Sequence, residues 1–474
     1  MEPSTFPPSD RSSATLQQGP AWKLMQQVKR RPRYDPESHP DGLINLSGAI
    51  NNLMADWMSK HTSHLLHFTS RELSYGPLGG SNDLLEAAAG FFNRFFDPAE
   101  PVLADQLLAA NGVTSLINMM AWVLCDSGDG ILYTTPNFYM LDYDLGVRND
   151  IVTLPVSTTL VECPFEASGL IPVLESTMQR HANVTCRMLF LCNPSNPQGG
   201  CYSTETLEAL AAWCAQRKMH IVVDEIYAMS TFHDKAKSGS TPFSSILKIP
   251  ARQNVHCLYG LSKDFNMGGV RVSFLVSRNP QIRAVVSKLT WFSWLTVFSD
   301  VFVSRFLSQL DLVQDYLNTY LPRLAEAYHR TVSALDEYNI PFEQASGGLF
   351  IFIDLHGWIH HFADSQPEPE IQLCEWLIEH GVFLNAGQFA GHDRPGCFRL
   401  VFTQDPAATE LAIQQIRWAI DELDRKARAV IAGVGQEGSA RTSIPNRVIG
   451  SAGGPEQSTQ RPGDEPVPAH QYWR

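Results

Sequence analysis

The sequence predicts an α/β fold built around a mainly parallel sheet, and two observations carry that prediction. Short apolar runs of strand length alternate along the chain with segments whose apolar residues recur at helical spacing. The clearest unit spans 187–223, where a strand, a helix and a second strand follow one another. Strands joined in this way lie parallel with a right-handed crossover.

Each element of that unit has its own signal. The apolar run 187–192 has strand length, and the segment 193–200 that follows contains two X-Pro steps and paired glycines, which exclude regular structure. Apolar residues at i, i+3, i+4 and i+7 then predict a helix with one buried face: Leu207, Leu210, Ala211 and Cys214. The second strand is predicted at 221–223.

Two further elements precede this unit. The segment 111–115 carries a glycine, Thr114 and Ser115 directly before the helical run 116–124. The first N–H groups of a helix can bind an anion, although Ser and Thr also cap many helices for structural reasons alone. An apolar strand at 130–133 then leads into 134–139, whose aromatic side chains suit either ring stacking or the core.

Composition limits the possible functions. The chain has 474 residues, a formal net charge of −13 and a pI near 5.6, which argues against nucleic acid or an anionic membrane as the main partner. Its nine cysteines form no C-x-x-C pair, a pattern typical of free thiols in a reducing compartment. The sequence shows no secretory signal and no apolar stretch of about eighteen residues, so we predict a cytoplasmic protein.

The two ends of the chain differ from the rest. Residues 1–20 and 431–474 are rich in small and polar residues and in proline, with few large apolar groups. Such segments bury too little surface to offset the entropy of ordering, so we predict disordered tails.

The stretch 258–271 suggests a covalently held, phosphorylated cofactor. Lys263 lies among small residues, where a planar ring can approach and a neutral amine can form a Schiff base with an aldehyde. Arg271, eight positions later, suits a phosphate bidentately. A solvated turn with ordinary surface charge is the alternative for this stretch alone.

Asp224 follows the second strand of the parallel unit directly. A buried carboxylate at that point needs a cationic partner, and a protonated pyridine nitrogen would serve; an N-cap or an ion pair with a lysine is the structural alternative. Ligands of such sheets bind outside the carboxyl ends of the strands, so the segments 193–200 and 224–227 should converge on one crevice.

Six motifs in order establish a resemblance. They read N-G-V-T, T-P-N-F-Y, N-P-S-N-P-Q-G, D-E-I-Y, S-K-x(7)-R and P-G-C-F-R. The set resembles the pyridoxal-phosphate enzymes of the class I/II aminotransferase family, fold type I, over roughly residues 30 to 425. Within that family, the third and fifth motifs look most like the 1-aminocyclopropane-1-carboxylate (ACC) synthase-like branch.

The resemblance implies roles for the residues that match these motifs. Lys263 would hold pyridoxal 5′-phosphate as a Schiff base and shuttle a proton between Cα of the substrate and C4′ of the cofactor. Asp224 would pair with the pyridine nitrogen, and Asn196 and Tyr227 would contact the phenolic oxygen of the ring.

The resemblance also implies binding groups at both ends of the site. The residues that would bind the phosphate are the backbone of Val113 and the side chains of Thr114, Ser262 and Arg271. Phe138 would stack on the ring, and Tyr75 would reach the phosphate of a neighbouring subunit. Arg399 would grip the α-carboxylate of the substrate, with Asn196 and Ala49 also in contact with the substrate.

Two positions depart from the family pattern. Ile50 stands where ACC synthases carry a glutamate linked to their handling of S-adenosylmethionine, and isoleucine cannot orient a sulfonium or take a proton. Gly260 stands where the family usually has a phosphate-binding serine, and Ser262 with the helix N-terminus is the candidate replacement.

The resemblance implies a two-lobed architecture. We expect a large cofactor-binding domain over 66–318, with a mainly parallel sheet sandwiched by helices. A smaller α+β domain would combine 21–65 with 319–430. If Tyr75 plays its family role, two subunits share each active site, which implies a homodimer.

The sequence leaves several reactions open. Transformation of an α-amino acid through a quinonoid intermediate is the leading expectation, with transamination first and β-elimination by a carbon-sulfur lyase second. ACC synthesis ranks third because of Ile50, and a catalytically inactive scaffold is the non-enzyme alternative. We expect no metal site, and we interpret His356, His360 and His361 as surface or loop histidines.

Overall fold

The computed structural model describes residues 20–66, 69–232, 241–362 and 368–434, together with the single positions 6, 9 and 12. The predicted tails, 1–20 and 431–474, lie almost entirely outside the described residues. The helices and strands below are numbered in chain order.

The largest sheet among the described residues has seven strands, which lie between Leu107 and Ser277. Its strands are β2 (Leu107–Asn111), β3 (Gly130–Thr135), β4 (Val152–Ser157), β5 (Cys186–Cys192), β6 (His220–Asp224), β7 (Val255–Gly260) and β8 (Val272–Ser277). Their order across the sheet is β2-β8-β7-β6-β5-β3-β4. Only β8 runs antiparallel to its neighbours, so the sheet is mainly parallel.

Helices cover both faces of this sheet. They are α3 (Asn82–Phe95), α4 (Val113–Leu124), α5 (Leu141–Gly146), α6 (Ala167–Arg180), α7 (Thr204–Gln216), α8 (Leu261–Asp264), α9 (Pro280–Leu289) and α10 (Val297–Leu307). Side chains alternate along each strand: Leu189 and Val223 belong to one buried apolar cluster, whereas Phe190 and Val222 belong to a second one that includes α4. A strand buried on both faces explains the continuous apolar runs of the sequence.

The remaining elements come from the two ends of the chain. The helices are α1 (Pro20–Lys29), α2 (Ala55–Thr62), α11 (Leu310–Glu337), α12 (Pro369–Glu379) and α13 (Pro406–Val434). The strands are β1 (Ile44–Asn45), β9 (Phe350–Asp354), β10 (Val382–Phe383), β11 (Asn385–Ala386) and β12 (Cys397–Val401). They form an antiparallel sheet β11-β12-β9 and a parallel pair β1-β10.

The pairing of β1 with β10 joins the N-terminal segment to the C-terminal part of the chain. This agrees with a small domain drawn from both ends, although the boundaries themselves stay a prediction.

The α/β fold class is confirmed, and the predicted βαβ unit is present. β5 and β6 pair in parallel, with Cys192 opposite Asp224, and α7 lies between them in the chain. The predicted strand at 130–133 and helix at 116–124 correspond to β3 and α4, each a few residues longer than its signal.

All nine cysteines are free thiols, and each is buried except the half-buried Cys163. Among the described residues, no helix combines the length and the apolar character needed to cross a membrane.

Candidate active site

A cavity of about 470 Å³ lies beyond the carboxyl ends of β5 and β6 and beside the first turn of α4. Nearly every residue that the motifs singled out lines it: Ala49, Val113, Thr114, Phe138, Asn196, Asp224, Tyr227, Ser262, Lys263, Arg271 and Arg399. The parallel register explains this convergence, because it places the polar segments after β5 and β6 side by side.

Lys263 brings its amine into the cavity from the single turn α8, which follows β7 directly. Its Nζ donates a hydrogen bond to the carbonyl oxygen of Ala49 at 2.9 Å. The Nδ2 of Asn51 donates in turn to the carbonyl oxygen of Lys263 at 3.0 Å. The N-terminal segment therefore holds both the side chain and the backbone of this lysine.

Asp224 ends β6 as a buried carboxylate. Burial raises its pKa to about 7, while a hydrogen bond from the N–H of Ile226 and the positive charge of Lys263 lower it. A carboxylate in this position would gain from a further cation, because an opposite charge favours its ionised form.

An anion cradle lies at the first turn of α4. Gly112 precedes the helix with a φ of +82°, which leaves the N–H groups of Val113 and Thr114 at the helix start. A Cβ at Gly112 would lie 2.0 Å from Nη2 of Arg271, so the guanidinium packs directly over this glycine. A helix N-terminus, hydroxyls of Thr114 and Ser262, and an arginine make a phosphate-sized anion site.

Arg399 lies on β12 and is 4% exposed. It is far from this cradle in sequence but lines the same cavity. Its Nη1 donates to Oδ1 of Asn196 at 2.9 Å, and its Nη2 donates to the carbonyl oxygen of Ser47. Its Nε is buried and has no hydrogen-bond partner. Burial lowers the pKa of the guanidinium, because its charged form loses hydration there. An anionic ligand would offset this cost of burying the charge.

Tyr227 and Phe138 supply the aromatic lining of the cavity. Tyr227 is buried and packs edge-on against Phe350 at 5.2 Å, and burial raises the pKa of its hydroxyl well above the usual value. Phe138 is half-buried and follows β3, with its N–H bonded to Oδ1 of Asn137 at 2.7 Å. Both rings can therefore border a planar ligand.

Tyr75 is the one predicted site residue outside the cavity. Its side chain is 94% exposed and stacks on Trp294, with ring centroids 5.4 Å apart. Within one protomer Tyr75 contributes nothing to the site.

The two departures from the pattern have clear structural settings. Ile50 lines the cavity and is 44% exposed, and it offers no polar side-chain group there. A Cβ at Gly260 would lie 2.8 Å from Cγ2 of Val113, so a serine at 260 would collide with the valine that begins α4. The glycine and the valine are therefore complementary.

Several residues of the cavity had no predicted role, among them the polar residues Asn51, Tyr139 and Asp144. Tyr139 lies near Arg399, with the guanidinium carbon 5.9 Å from the ring centre. Asp144 is buried on α5 beside Leu141 and Leu145, which are also buried. A carboxylate at helical spacing from buried leucines is a sequence signal that could have identified Asp144.

The described ranges contain no cluster of three or more His, Cys, Asp or Glu side chains that could hold a metal ion. Of the three histidines considered above, His356 and His360 are exposed, whereas His361 is half-buried and bonded to Asp424 at 2.9 Å. His361 therefore joins the 3₁₀ segment His356–Phe362 to α13.

Comparison with known proteins identifies the family. Residues 44–416 match the family described as aminotransferase class I and II, which is more than half of the chain. The chain is 28% identical over 406 residues to 1-aminocyclopropane-1-carboxylate synthase-like protein 1 of Takifugu rubripes. That alignment covers 82% of this chain and 64% of the relative, so the chain spans less than two thirds of that relative's length.

Two other similarities extend over most of the chain. A probable aminotransferase of Leptosphaeria maculans is 29% identical over 404 residues, with 83% of this chain and 95% of that protein covered. Among solved structures, an aspartate aminotransferase of Thermotoga maritima superposes with a TM-score of 0.68 at 19% identity, covering 87% of this chain and 100% of that one. The structural likeness supports the fold.

Proposed function

The chain belongs to the aminotransferase class I and II family, whose cofactor is pyridoxal phosphate, and we propose that it is an aminotransferase acting on an α-amino acid. The observation that carries the proposal is the gathering of Lys263, Asp224, Arg271 and Arg399 in one cavity. Arg399 lies more than 100 positions after the other three residues, and each of the four supplies a group that this chemistry needs.

The residues of the cavity fit the cofactor. The anion cradle at Gly112 and Arg271 suits its phosphate, and a side chain larger than hydrogen at 112 would fill that cradle. Asp224 suits the pyridine nitrogen, because a buried carboxylate favours a cationic neighbour. When bound, pyridoxal phosphate supplies an aldehyde and an electron-withdrawing ring.

The roles of the polar groups follow from their chemistry. Lys263 would bind the aldehyde carbon through Nζ and later move the proton of the substrate Cα. Asp224 would keep the ring nitrogen protonated, while Asn196 and Tyr227 would orient the ring through its phenolic oxygen. Phe138 would lie against the ring face.

Arg399 supports an α-carboxylate as part of the substrate. Two of its nitrogens are fixed by Asn196 and Ser47, so the guanidinium is already oriented before a ligand binds. Its partnerless Nε offers one more donor. Ala49, whose carbonyl oxygen accepts the bond from Lys263, would border the same end of the substrate.

We propose a homodimer in which Tyr75 reaches the cofactor phosphate of the other subunit. The support is its position: the exposed Tyr75 stacks on the half-buried Trp294, and the exposed Trp291 lies tilted beside Trp294 with ring centroids 5.4 Å apart. Exposed aromatic groups of this kind are typical of protein interfaces. A cytoplasmic location stays a prediction from the sequence.

Incubation of the purified protein with pyridoxal phosphate and single amino acids tests the reaction. Transamination predicts pyridoxamine phosphate and the matching 2-oxo acid in equal amounts. Ammonia without pyridoxamine phosphate would instead support β-elimination, and ACC would contradict the expectation drawn from Ile50. Lys263→Ala should abolish every product, whereas Lys288→Ala, at an exposed lysine of α9, should not.

A further inference from the structure

Asp264 is a buried carboxylate that the proposed chemistry does not use. It follows Lys263 directly, it is 0% exposed, and it does not line the cavity. A carboxylate is costly to bury unless hydrogen bonds compensate for the lost water. Its position therefore calls for a function that acts through another residue.

Three donors satisfy the two oxygens of Asp264. Ser230 Oγ donates to Oδ1 at 2.5 Å, and the N–H of Met229 and the hydroxyl of Tyr259 donate to Oδ2 at 2.9 and 3.0 Å. Ser230 also donates its N–H to the carbonyl oxygen of Tyr227 at 2.9 Å. The carboxylate thus ties the lysine turn to the segment that carries Tyr227.

A second route returns from Asp264 to Lys263. Ser230 Oγ lies 2.7 Å from the hydroxyl of Tyr320 on α11, and the side chain of Asn51 hydrogen-bonds to the same hydroxyl. Asn51 in turn donates to the carbonyl oxygen of Lys263 at 3.0 Å. We call Asp264, Ser230, Tyr320 and Asn51, with the hydrogen bonds that join them to Lys263, the Asp264 network.

The local backbone cannot fix Lys263 without such a network. Its helix, α8, has four residues, which is one turn, and a single helical turn is unstable in isolation. The orientation of Nζ therefore depends on tertiary contacts. The Asp264 network holds the turn at two points, the carboxylate of Asp264 and the carbonyl oxygen of Lys263. All four of its named members are buried.

We propose that Asp264 is a positioning residue that acts through Ser230, Tyr320 and Asn51 to fix the amine of Lys263 at the aldehyde end of the cavity. This inference rests on the proposed role of Lys263 as the residue that binds the cofactor. Asp264 would contact neither substrate nor cofactor, and it would still determine how readily Lys263 reacts.

The test compares five proteins: wild type, Asp264→Asn, Asp264→Ala, Tyr320→Phe and the control Tyr328→Phe. Tyr328 is also buried on α11 and is bonded to Gln344 at 3.2 Å, outside the Asp264 network. Each protein is titrated with pyridoxal phosphate, and the covalent adduct is followed by its visible absorbance and, after borohydride reduction, by mass spectrometry of the Lys263 peptide. Thermal unfolding is measured in parallel.

We expect the apparent affinity for pyridoxal phosphate to fall about fivefold for Tyr320→Phe and about tenfold or more for Asp264→Ala, as expected for the loss of one and several buried hydrogen bonds. Asp264→Asn keeps the shape and part of the hydrogen bonding and should lie between wild type and Asp264→Ala. Tyr328→Phe should bind as wild type does, whatever its effect on thermal stability.

A spectroscopic measurement separates positioning from a structural role. Burial raises the pKa of the Asp264 carboxyl to about 7, so above that pH it places a negative charge one residue from Lys263. Asp264→Asn removes this charge, so the pH midpoint of the adduct's absorbance should fall. The other charged groups of the cavity, Asp144, Asp224, Arg271 and Arg399, are the same in all five proteins. A purely structural role would lower thermal stability and leave this midpoint unchanged.

The outcomes distinguish this inference from the proposed function. If wild type forms no adduct, the proposed function itself fails. If wild type forms the adduct and folded Tyr320→Phe and Asp264→Asn match it in affinity and midpoint, the positioning role is wrong. Should Asp264→Ala fail to fold, those two conservative variants still decide the question.

Discussion

Gly112→Ala is the substitution whose effect on the cofactor site follows most directly from the structure. The new Cβ would lie 2.0 Å from Nη2 and 2.8 Å from Cζ of Arg271, which is too close for a Cβ and atoms to which it is not bonded. The atoms it meets end a flexible side chain, so the arginine would swing away while the surrounding fold is retained. The anion cradle would then lose its guanidinium.

The magnitude has two separable parts. Because Gly112 has a φ of +82°, any other residue there costs about 1 kcal/mol or more of folding free energy. Loss of a charge-assisted hydrogen bond to the phosphate costs about 1.5 to 3 kcal/mol of binding free energy. The second part corresponds to a cofactor affinity lower by about tenfold to 150-fold.

Two matched variants separate these parts. Gly128→Ala carries the same φ of +82° in open space, so it should lose stability and keep its affinity. Gly269→Ala lines the same cavity with nothing within 4 Å of its Cβ, so it should keep both. The assay is a titration with pyridoxal phosphate beside urea unfolding of each protein. Affinity of Gly112→Ala equal to that of Gly269→Ala would refute the cradle.

Three further substitutions test the substrate end of the cavity, the start of α4 and a buried histidine of β7. Arg399→Lys should lower kcat/KM for α-amino acids by about 100-fold, because a lysine cannot replace the oriented fork, and it should leave the reaction of the matching amines without a carboxylate unchanged. Gly260→Ser should weaken the binding of pyridoxal phosphate through its clash with Val113, and the double variant Gly260→Ser/Val113→Ala should recover it; equal binding by both would contradict the clash. His256 is fully buried between His220 and Ser277, and burial lowers its pKa to about 3. Its contribution to stability is therefore present above the ordinary histidine pKa of about 6.5 and is lost as the pH falls from there towards 3. The free energy of unfolding, measured in urea at pH 7 and pH 5, should differ less in His256→Phe than in wild type, by up to about 1.4 kcal/mol per pH unit.

Much of the fold could be predicted from the sequence, because the strands are buried on both faces and read as uninterrupted apolar runs. β5, α7 and β6 were each recognisable from spacing alone, and their parallel pairing followed from the connection. The residues at the ends of these strands, such as Asn196 and Asp224, could be assigned to one crevice for the same reason.

Other features of the site depend on contacts between distant residues, which spacing cannot reveal. Asn51 reaches the carbonyl of Lys263 across 212 positions of the chain, and Tyr320 reaches Ser230 across 90. The complementary pair of Gly260 and Val113 is equally invisible, because the glycine looks like a missing serine until the neighbouring helix is in place. The role of Tyr75 stays a prediction, since it requires a second subunit.

The central claim is that Lys263 binds pyridoxal phosphate covalently, and peptide mapping after borohydride reduction tests it most directly. The claim predicts a single reduced adduct, on the peptide that contains Lys263, at one adduct per protein chain. It also predicts that Lys263→Ala loses the visible absorbance band. Labelling spread over exposed lysines such as Lys288, or an unchanged band in Lys263→Ala, would contradict it.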